Sequence, residues 1–345
     1  MLKLFFTAFK QSNLTTQIFD LEISQALFDQ QLIAYRILFV LMDRGYVYER
    51  APYRRNKHMT DLPRLNGMIG ALERGDVAFS AFASMDISMA KTMAASQFDG
   101  VIYEGEHSPW DIVELGNCLQ YMLDRRKIAT SGSIAPPVTP LVRVPVNGVE
   151  QGQWHAKQAL DTGVYGVVWP HISTVEEAYN AVSACRYPRL ESVPLYEPRG
   201  IRGDGPGRAC HYWGLSQQEY YSKADVWPLN PNGEILVVIQ IEDTVGIANL
   251  PDILKDVPGI GVVLIGEGDL GQELGFPRQY DHPILLEAMS EIVATCNRYD
   301  VVVGHPHANA SNMQRLLDEG FRFIMSGPGQ SYTGLEKGLE LTNRS

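Results

Sequence analysis

The sequence lacks the cysteine pattern of a zinc-binding or disulfide-bonded protein. Its 345 residues include only four cysteines, Cys118, Cys185, Cys210 and Cys296, and they lie far apart along the chain. This spacing excludes a Cys-x-x-Cys zinc site and a small secreted disulfide scaffold. The thiols are therefore expected to be reduced, which predicts a cytoplasmic location.

Positive charge and long apolar runs are also scarce. The chain has 29 lysine and arginine residues against 40 aspartate and glutamate residues, a formal net charge of −11. A nucleic-acid partner is not expected, because such proteins usually have a basic surface. An apolar stretch at residues 32–42 contains Arg36 and is shorter than the roughly 20 residues that span a bilayer, so no membrane partner is expected either.

The first 58 residues differ in charge from the rest of the chain. They hold eight Lys/Arg and five Asp/Glu, a net charge of +3, which leaves −11 − 3 = −14 for the remainder. The segment from Met59 onward resembles the start of a domain. We therefore expect an N-terminal extension of unknown role at residues 1–58 and a main domain at residues 59–345, with an integral helical arm as the alternative for the extension.

Short apolar segments rich in β-branched residues recur along the main domain, with helical patterns between them. Parallel strands that are buried on both faces have such sequences. The predicted strands span residues 77–82, 98–104, 140–144, 164–169, 235–242, 261–266, 301–304 and 321–327. Eight strands that alternate with helices predict a (β/α)8 TIM barrel, and a doubly wound open sheet is the alternative.

Two helix starts and one long connection can be predicted. Ser108 followed by Pro109 predicts the start of the helix after the second strand. Ser173 and Glu176 predict a capping box after the fourth strand. The connection at residues 187–234 is rich in Gly, Pro and Arg, and connections of this length are usually functional.

Polar side chains follow the predicted strands at their carboxyl ends, where TIM-barrel enzymes carry their active sites. In chain order they are Glu104, Glu106, His107, Arg143, His171, Gln240, Glu242, Glu267, Asp269, His305 and His307. Solvation alone does not explain their concentration at one end of the strands. We therefore expect a catalytic site at this rim.

Glu242 and Asp269 follow consecutive strands and are candidate metal ligands. Neighbouring strands lie about 4.8 Å apart, so both carboxylates can reach one cation. Two oxygen ligands with open positions suit Mg²⁺ or Mn²⁺. The alternative is that these carboxylates cap the following helices. His305 and His307, two residues apart, are a weaker metal candidate.

Arg143 and His107 are candidates for substrate binding and proton transfer. Arg143 lies in an apolar strand and needs an anionic partner, either a substrate carboxylate or a carboxylate of the core. His107, oriented by Glu104 or Glu106, is the expected proton-transfer group, and a structural histidine is the alternative. No lysine lies at these strand ends, which argues against a Schiff-base mechanism.

Seven motifs together resemble the HpcH/HpaI aldolase family over about residues 66–330. In order they are FDGVIYEGEHSPWDI, PLVRVPVNG, ALDTGVYGVVWPHISTVEEA, SACRYP, GIRG, VVIQIEDTVGIANLPDIL and GVVLIGEGDLGQELGFP. The resemblance implies a (β/α)8 barrel that uses a divalent metal to cleave or form a carbon–carbon bond next to pyruvate. Mg²⁺ is the expected metal, with Mn²⁺ and Co²⁺ as alternatives.

The resemblance also implies roles for individual residues. Glu242 and Asp269 would hold the metal, and Arg143 would contact the pyruvate carboxylate or enolate oxygen. His107 would act with the acid three residues earlier, Glu104.

Further implied roles concern the substrate and a second subunit. Gln240 would line the site, Gly268 lies in a loop whose amides would hold the carboxylate, and His171 occurs in a subset of relatives that includes macrophomate synthase. Asp161 matches an aspartate that reaches a neighbouring subunit's site, which implies a homo-oligomer, a hexamer built as a trimer of dimers.

Two residues depart from the family pattern. Glu104 stands where relatives usually have aspartate, and Glu267 makes the loop GEGD rather than GPAD. The expected function is a metal-dependent aldolase that cleaves a 4-hydroxy-2-oxo acid to pyruvate and an aldehyde. An oxaloacetate decarboxylase or a macrophomate-synthase-like enzyme remains an alternative, and a non-catalytic oxo-acid binder or a CoA-thioester lyase is less favoured.

Overall fold

The computed structural model describes residues 63–326 and 333–344, so the predicted extension at residues 1–58 lies outside the described residues. The strands are β1 (Ala78–Ala83), β2 (Gly100–Glu104), β3 (Thr139–Arg143), β4 (Gly166–Trp169), β5 (Val226–Trp227), β6 (Ile235–Ile241), β7 (Val262–Ile265), β8 (Val302–Ala308) and β9 (Phe323–Ser326). Each predicted strand overlaps one of these.

The sheet closes into a parallel barrel. Its strand order is β4-β3-β2-β1-β9-β8-β7-β6-β5, and an additional pairing of β4 with β6 completes the circle. Strand β5 adds only two residues beside β6, so the closed barrel has eight strands. The predicted TIM barrel is confirmed, and the open-sheet alternative is wrong. The short β5 lies in the 187–234 connection, where the sequence predicts no strand.

Helices cover the outside of the barrel. They are α1 (Gly67–Glu73), α2 (Ile87–Ala95), α3 (Ile112–Tyr121), α4 (Arg125–Ser131), α5 (Gln153–Thr162), α6 (Val175–Ala184), α7 (Gly207–Trp213), α8 (Gln217–Lys223), α9 (Thr244–Asp256), α10 (Glu267–Glu273), α11 (Pro283–Arg298), α12 (Met313–Glu319) and α13 (Thr333–Leu341). Within the described part of the chain, none is both long and apolar enough to cross a bilayer.

Both predicted helix starts are displaced along the chain. Helix α3 begins after Asp111, not Ser108, because the Asp111 carboxylate accepts hydrogen bonds from two free backbone N–H groups of the first turn. Helix α6 has its capping box one residue later than predicted, from Thr174 to Glu177. The later start of α3 lengthens the loop after β2, and this loop carries His107.

An ion pair fixes the end of the described chain to the barrel floor, opposite the carboxyl ends of the strands. Nη2 of Arg344 lies 2.6 Å from Oδ1 of Asp99, and its Nη1 donates to the Val77 carbonyl at 2.7 Å. Asp99 precedes β2 and also accepts a hydrogen bond from the backbone N–H of Phe79 at 2.8 Å. Its carboxylate therefore joins three separate segments.

Replacing Asp99 by asparagine is expected to lower the free energy of unfolding by about 1–3 kcal/mol, because Arg344 loses its charged partner in a largely buried setting. Urea unfolding checks this. The matched control is Asp256→Asn, whose pair with Lys255 has side chains 51% and 64% exposed and should change stability by less than about 0.5 kcal/mol. Equal losses in both variants would contradict the assignment.

Candidate active site

A cavity of about 610 Å³ opens at the carboxyl ends of the barrel strands. Charged and amide side chains that line it include Glu104, His107, Arg143, Gln240, Glu242 and Asp269. These residues come from β2, β3, β6 and the segments that follow β2, β6 and β7. The structure thus brings together most of the sequence-predicted site in one cavity.

Arg143 ends β3 and is bound by two carboxylates. Its Nε donates to Oε1 of Glu104 at 3.2 Å, and its Nη2 contacts the other oxygen of that carboxylate. Its Nη1 lies 2.8 Å from Oε2 of Glu106 and 3.3 Å from Oε1 of Gln240. The guanidinium also lies over the ring of Phe82 at 4.4 Å. The sequence left two possible partners for Arg143, a substrate carboxylate and a carboxylate of the core. The structure contains the ion pair with core carboxylates.

Glu104 orders the loop after β2 through its carboxylate. Its Oε1 accepts the backbone N–H groups of Glu106 at 2.7 Å and His107 at 3.1 Å. Gly105, between Glu104 and Glu106, has no room for a side chain, because a Cβ would lie 2.6 Å from the Arg143 carbonyl oxygen. The loop is consequently held by backbone contacts and by Arg143.

The ring of His107 is not held by Glu104. Its side chain is 66% exposed, and Nε2 lies 3.7 Å from Oε2 of Glu106, beyond hydrogen-bond distance. Glu104 contacts the backbone of His107 and the guanidinium of Arg143 instead. Glu104 thus makes no direct contact with the ring of His107, which does line the cavity, and the proton-transfer role of His107 stays a prediction.

Three residues offer donor atoms to a single cation. One ligand atom each from His171, Glu242 and Asp269 lies within 4.8 Å of the others. Glu242, which follows β6, accepts the backbone N–H of His171 at 2.5 Å and Nε2 of Gln240 at 2.9 Å. These bonds fix the carboxylate of Glu242 beside Asp269. The two predicted ligands thus lie together, with His171 as a third donor that the sequence assigned to substrate binding.

The electrostatics of this cluster favour added positive charge. Burial raises the pKa of Glu242, with Glu106 and Asp269 adding to the effect and His171 opposing it. The hydrogen bond to Glu106 raises the pKa of His171 to about 9, against burial and with help from Glu242 and Asp269. A cluster of carboxylates that draws a proton onto His171 would also attract a divalent cation, and that cation would displace the proton because a histidine ligand is neutral.

The backbone of His171 is strained. Its φ is 51°, in the left-handed region that residues other than glycine rarely adopt. The bond from its backbone N–H to Glu242 and the ring contact with Glu106 at 3.3 Å hold this conformation. Strain of this kind is concentrated at functional sites.

Gly266 allows Glu242 to approach the loop after β7. A Cβ at this position would lie 2.1 Å from Oε2 of Glu242, whereas Gly268, which also lines the cavity, has no neighbour within 4 Å of its Cβ position. Residue 266 must therefore be glycine to leave space for the Glu242 carboxylate. The backbone of Gly268 faces the open volume of the cavity.

Gly266→Ala is expected to displace the Glu242 carboxylate and weaken Mn²⁺ binding by about 10- to 100-fold, as changes that disorient a metal ligand commonly do. A Mn²⁺ titration followed by electron paramagnetic resonance measures this. Gly207→Ala is the matched control, because nothing lies within 4 Å of a Cβ there. Unchanged Mn²⁺ affinity in Gly266→Ala would show that the approach of Gly266 to Glu242 has no part in the site.

Glu267 does not point its carboxylate into the metal cluster. It lies 2.5 Å from Nδ1 of His307 and 3.3 Å from Nε2 of His305. Burial alone would raise the pKa of Glu267, but the hydrogen bonds from both histidines outweigh it and lower that pKa to about 2. The extra carboxylate of the GEGD loop is therefore bound by the two histidines of β8. Sequence reasoning singled out all three residues but did not connect them.

Asp161 lies on α5 and is not among the residues that line the cavity. Its Oδ1 accepts from Nη2 of Arg202 at 2.8 Å, and burial raises its pKa despite that bond. Within this chain, Asp161 is thus separate from the candidate site. A role at a neighbouring subunit's site stays a prediction.

Comparison with known proteins adds to this geometry. The HpcH/HpaI aldolase/citrate lyase family model matches residues 79–331, which include the whole cavity. The chain belongs to this family. Its barrel is therefore that of an HpcH/HpaI protein.

Curated members of the HpcH/HpaI family resemble this chain over most of their length. A hydroxypyruvate/pyruvate aldolase of Roseobacter denitrificans is 28% identical over 261 residues, which cover 75% of this chain and 90% of the relative. A 2-keto-3-deoxy-L-rhamnonate aldolase of Klebsiella pneumoniae is 30% identical, covering 74% and 84%. A 4-hydroxy-2-oxo-heptane-1,7-dioate aldolase of Escherichia coli is 30% identical, covering 76% and 88%.

Solved structures show the same fold. An HpcH/HpaI aldolase/citrate lyase family protein from Burkholderia cenocepacia superposes with a TM-score of 0.60 at 26% identity, covering 73% of this chain and 88% of the other. Macrophomate synthase superposes with a TM-score of 0.58 at 21% identity, covering 81% and 87%.

Proposed function

We propose that this protein is a metal-dependent aldolase, a carbon–carbon lyase that cleaves a 4-hydroxy-2-oxo acid to pyruvate and an aldehyde. The observation that carries the proposal is the placement of Arg143, Glu242 and Asp269 around one cavity, with a ring nitrogen of His171 close to both carboxylates. A cation site beside a buried guanidinium suits a substrate that presents a carboxylate and a neighbouring keto oxygen. The named aldolases among its relatives support the same reaction class.

The residues present fit a divalent cation. Glu242 and Asp269 supply two carboxylates, and His171 supplies a ring nitrogen within the same 4.8 Å. Mg²⁺ is the proposed ion, and Mn²⁺ or Co²⁺ would suit the same donors. When bound, the ion would act as a Lewis acid toward the 2-keto oxygen of the substrate.

Arg143 stabilises the charge that develops as the bond between C3 and C4 breaks. The bonding electron pair moves onto the pyruvate fragment, and the negative charge of the resulting enolate resides largely on its oxygen. Because Glu104 and Glu106 hold the guanidinium in place, it needs no rearrangement when this charge appears. Gln240 fixes both Arg143 and Glu242 at the floor of the cavity. The backbone amide of Gly268 is proposed to contact the substrate carboxylate.

Cleavage also requires a base for the hydroxyl proton on C4. Two histidines line the cavity, His107 on the loop after β2 and His307 near the end of β8. Both are partly exposed, with side chains 66% and 38% accessible. The reaction therefore has two candidate imidazoles in different parts of the rim.

A second candidate reaction is decarboxylation of oxaloacetate, because His171 occurs in a subset of relatives that includes macrophomate synthase. The ring of His171 lies 3.3 Å from Glu106 and 3.4 Å from Glu242, at the cation cluster. The same enolate would form when the C3–C4 bond of oxaloacetate breaks with loss of CO₂. This reaction needs no base for a hydroxyl group, so one site can support both activities.

A panel of 2-oxo acids tests the proposal. The purified protein is incubated with Mg²⁺, Mn²⁺ or Co²⁺ and either oxaloacetate or 4-hydroxy-2-oxo acids of different length, and pyruvate is measured with lactate dehydrogenase. We expect pyruvate and an equimolar aldehyde from at least one 4-hydroxy-2-oxo acid. Pyruvate from oxaloacetate alone would favour the decarboxylase, and no pyruvate from any compound would contradict both.

We also propose a homo-oligomeric assembly, a hexamer built as a trimer of dimers, in a reducing compartment such as the cytoplasm. The separation of Asp161 from the cavity of its own chain supports the oligomer, since its family role lies at a neighbouring site. All four cysteines are unpaired. Light scattering coupled to size exclusion measures the assembly, and a monomeric mass would contradict it.

A further inference from the structure

Glu267, His305 and His307 form a hydrogen-bonded group on the cavity wall that faces Arg143. In the closed barrel β8 lies four strands from β3 in either direction, so His307 and Arg143 belong to opposite walls. Glu267 is 2% exposed and His305 is 2% exposed, whereas the side chain of His307 is 38% exposed and lines the cavity. Glu267 also borders the cavity but is almost fully buried, so His307 is the most accessible of the three side chains.

The contacts of His305 determine where its proton lies. Its Nδ1 accepts the backbone N–H of His307 at 3.2 Å, so this nitrogen carries a lone pair. Its Nε2 is therefore the protonated nitrogen of a neutral ring, and it faces Oε2 of Glu267 at 3.3 Å. The Glu267 carboxylate is thus positioned by a donor on β8.

The same carboxylate determines the orientation of His307. An ionised carboxylate only accepts hydrogen bonds, so Nδ1 of His307, 2.5 Å from Oε1 of Glu267, must be the donor. Nε2 of His307 is then left with a lone pair. The ring also packs against Tyr280, with centroids 5.5 Å apart and planes 28° from parallel. This is the arrangement of a general base that a carboxylate orients.

His107 has no comparable support. The carboxylate of Glu104 is occupied by Arg143 and by two backbone N–H groups, and the ring of His107 lies 3.7 Å from Glu106. Along the described cavity wall, the carboxylate–imidazole contact therefore occurs between Glu267 and His307 and not between Glu104 and His107.

We propose that His307, oriented by Glu267, is the catalytic base for the hydroxyl group on C4 of the substrate. Nε2 of His307 takes the hydroxyl proton, the C4–O bond becomes the aldehyde carbonyl, and the C3–C4 electron pair passes to the pyruvate enolate. The imidazolium can then return the proton to C3 of the enolate, so that atoms and charge balance without a further reactant. This inference rests on the proposed aldolase function. Glu267 and His305 are positioning residues.

The test compares single-residue variants on the 4-hydroxy-2-oxo acid that the wild-type protein cleaves. We expect His307→Asn to lower kcat by about 100- to 10,000-fold, the usual contribution of a general base. We expect Glu267→Gln to lower kcat with little change in KM, and Glu267→Asp to recover part of the loss. Added imidazole should partly restore cleavage by His307→Ala, which a purely structural role would not allow.

Two controls separate a chemical loss from a folding loss. Oxalate mimics the pyruvate enolate, so its Kd in the presence of Mg²⁺, measured by calorimetry, should be the same for wild type and His307→Asn. His211→Asn changes an exposed histidine on α7, away from the cavity, and should leave kcat unchanged.

The outcomes distinguish this inference from the proposed function. Wild-type protein that cleaves no 4-hydroxy-2-oxo acid contradicts the function itself. Wild-type cleavage that persists in His307→Asn, or that is lost more completely in His107→Asn than in His307→Asn, overturns the assignment of His307 and leaves the aldolase intact. Lost oxalate binding in His307→Asn would likewise overturn it, because the residue would then support the enolate site.

Discussion

Arg143→Lys is expected to lower kcat for pyruvate release by about 100- to 1,000-fold, the range found when a preorganised donor to a developing oxyanion is removed. Lysine keeps the positive charge but lacks the planar fork that contacts Glu104, Glu106 and Gln240 together. The charge would then sit in a different place and would have to move as the enolate forms. Steady-state kinetics with the cleaved substrate measures the effect.

Arg344→Lys serves as the control for Arg143→Lys. Arg344 is also largely buried and paired with a carboxylate, but it lies at the barrel floor beside Asp99. We expect it to leave kcat unchanged while lowering stability slightly. Equal kcat losses in the two variants would show that general destabilisation, and not the cavity guanidinium, causes the effect.

Glu242→Gln is expected to weaken Mn²⁺ binding by more than about 100-fold. This loss should exceed the effect of changing a residue that only hydrogen-bonds to a metal ligand, because Glu242 is itself a proposed ligand. The amide keeps the shape and can still accept the backbone N–H of His171, but it removes the negative charge that faces the cation. Pyruvate release should fall with occupancy of the site, and excess Mn²⁺ should recover part of it. A Mn²⁺ titration followed by electron paramagnetic resonance gives the affinity directly.

Glu191→Gln is the charge-matched control, because Glu191 is exposed on the loop that follows α6. It should bind Mn²⁺ like the wild type. If Glu242→Gln also bound Mn²⁺ with unchanged affinity, the ion would lie elsewhere and the proposed ligand pair would be wrong.

The barrel could be predicted because its strands are buried on both faces and therefore have continuous apolar sequences. Strand β6 illustrates this, since all seven of its residues are buried. The two-residue strand β5 could not be found in this way, because it is too short for any pattern. Helix α3 begins later than predicted because Ser108 and Asp111 are both good capping residues, and only the conformation of the folded loop decides which of them caps the helix.

The sequence was enough to predict which residues lie at the strand ends of the candidate site. It was not enough to predict which of their side chains contact each other. Placing Glu242 and Asp269 after neighbouring strands was enough to bring them together at one end of the barrel. Which carboxylate binds which histidine depends on side-chain direction. Glu104 was expected beside the ring of His107 but binds Arg143, and no sequence pattern indicated that Glu267 binds His307.

Pyruvate release by metal-depleted protein tests the metal–enolate mechanism most directly. The protein is treated with EDTA, freed of chelator, and assayed on its 4-hydroxy-2-oxo acid before and after addition of Mg²⁺ or Mn²⁺, with a parallel sample exposed to pyruvate and borohydride. We expect cleavage to be lost on depletion and restored by the ion, and no covalent adduct by mass spectrometry. Full activity without metal, together with a borohydride-trapped lysine, would contradict the mechanism.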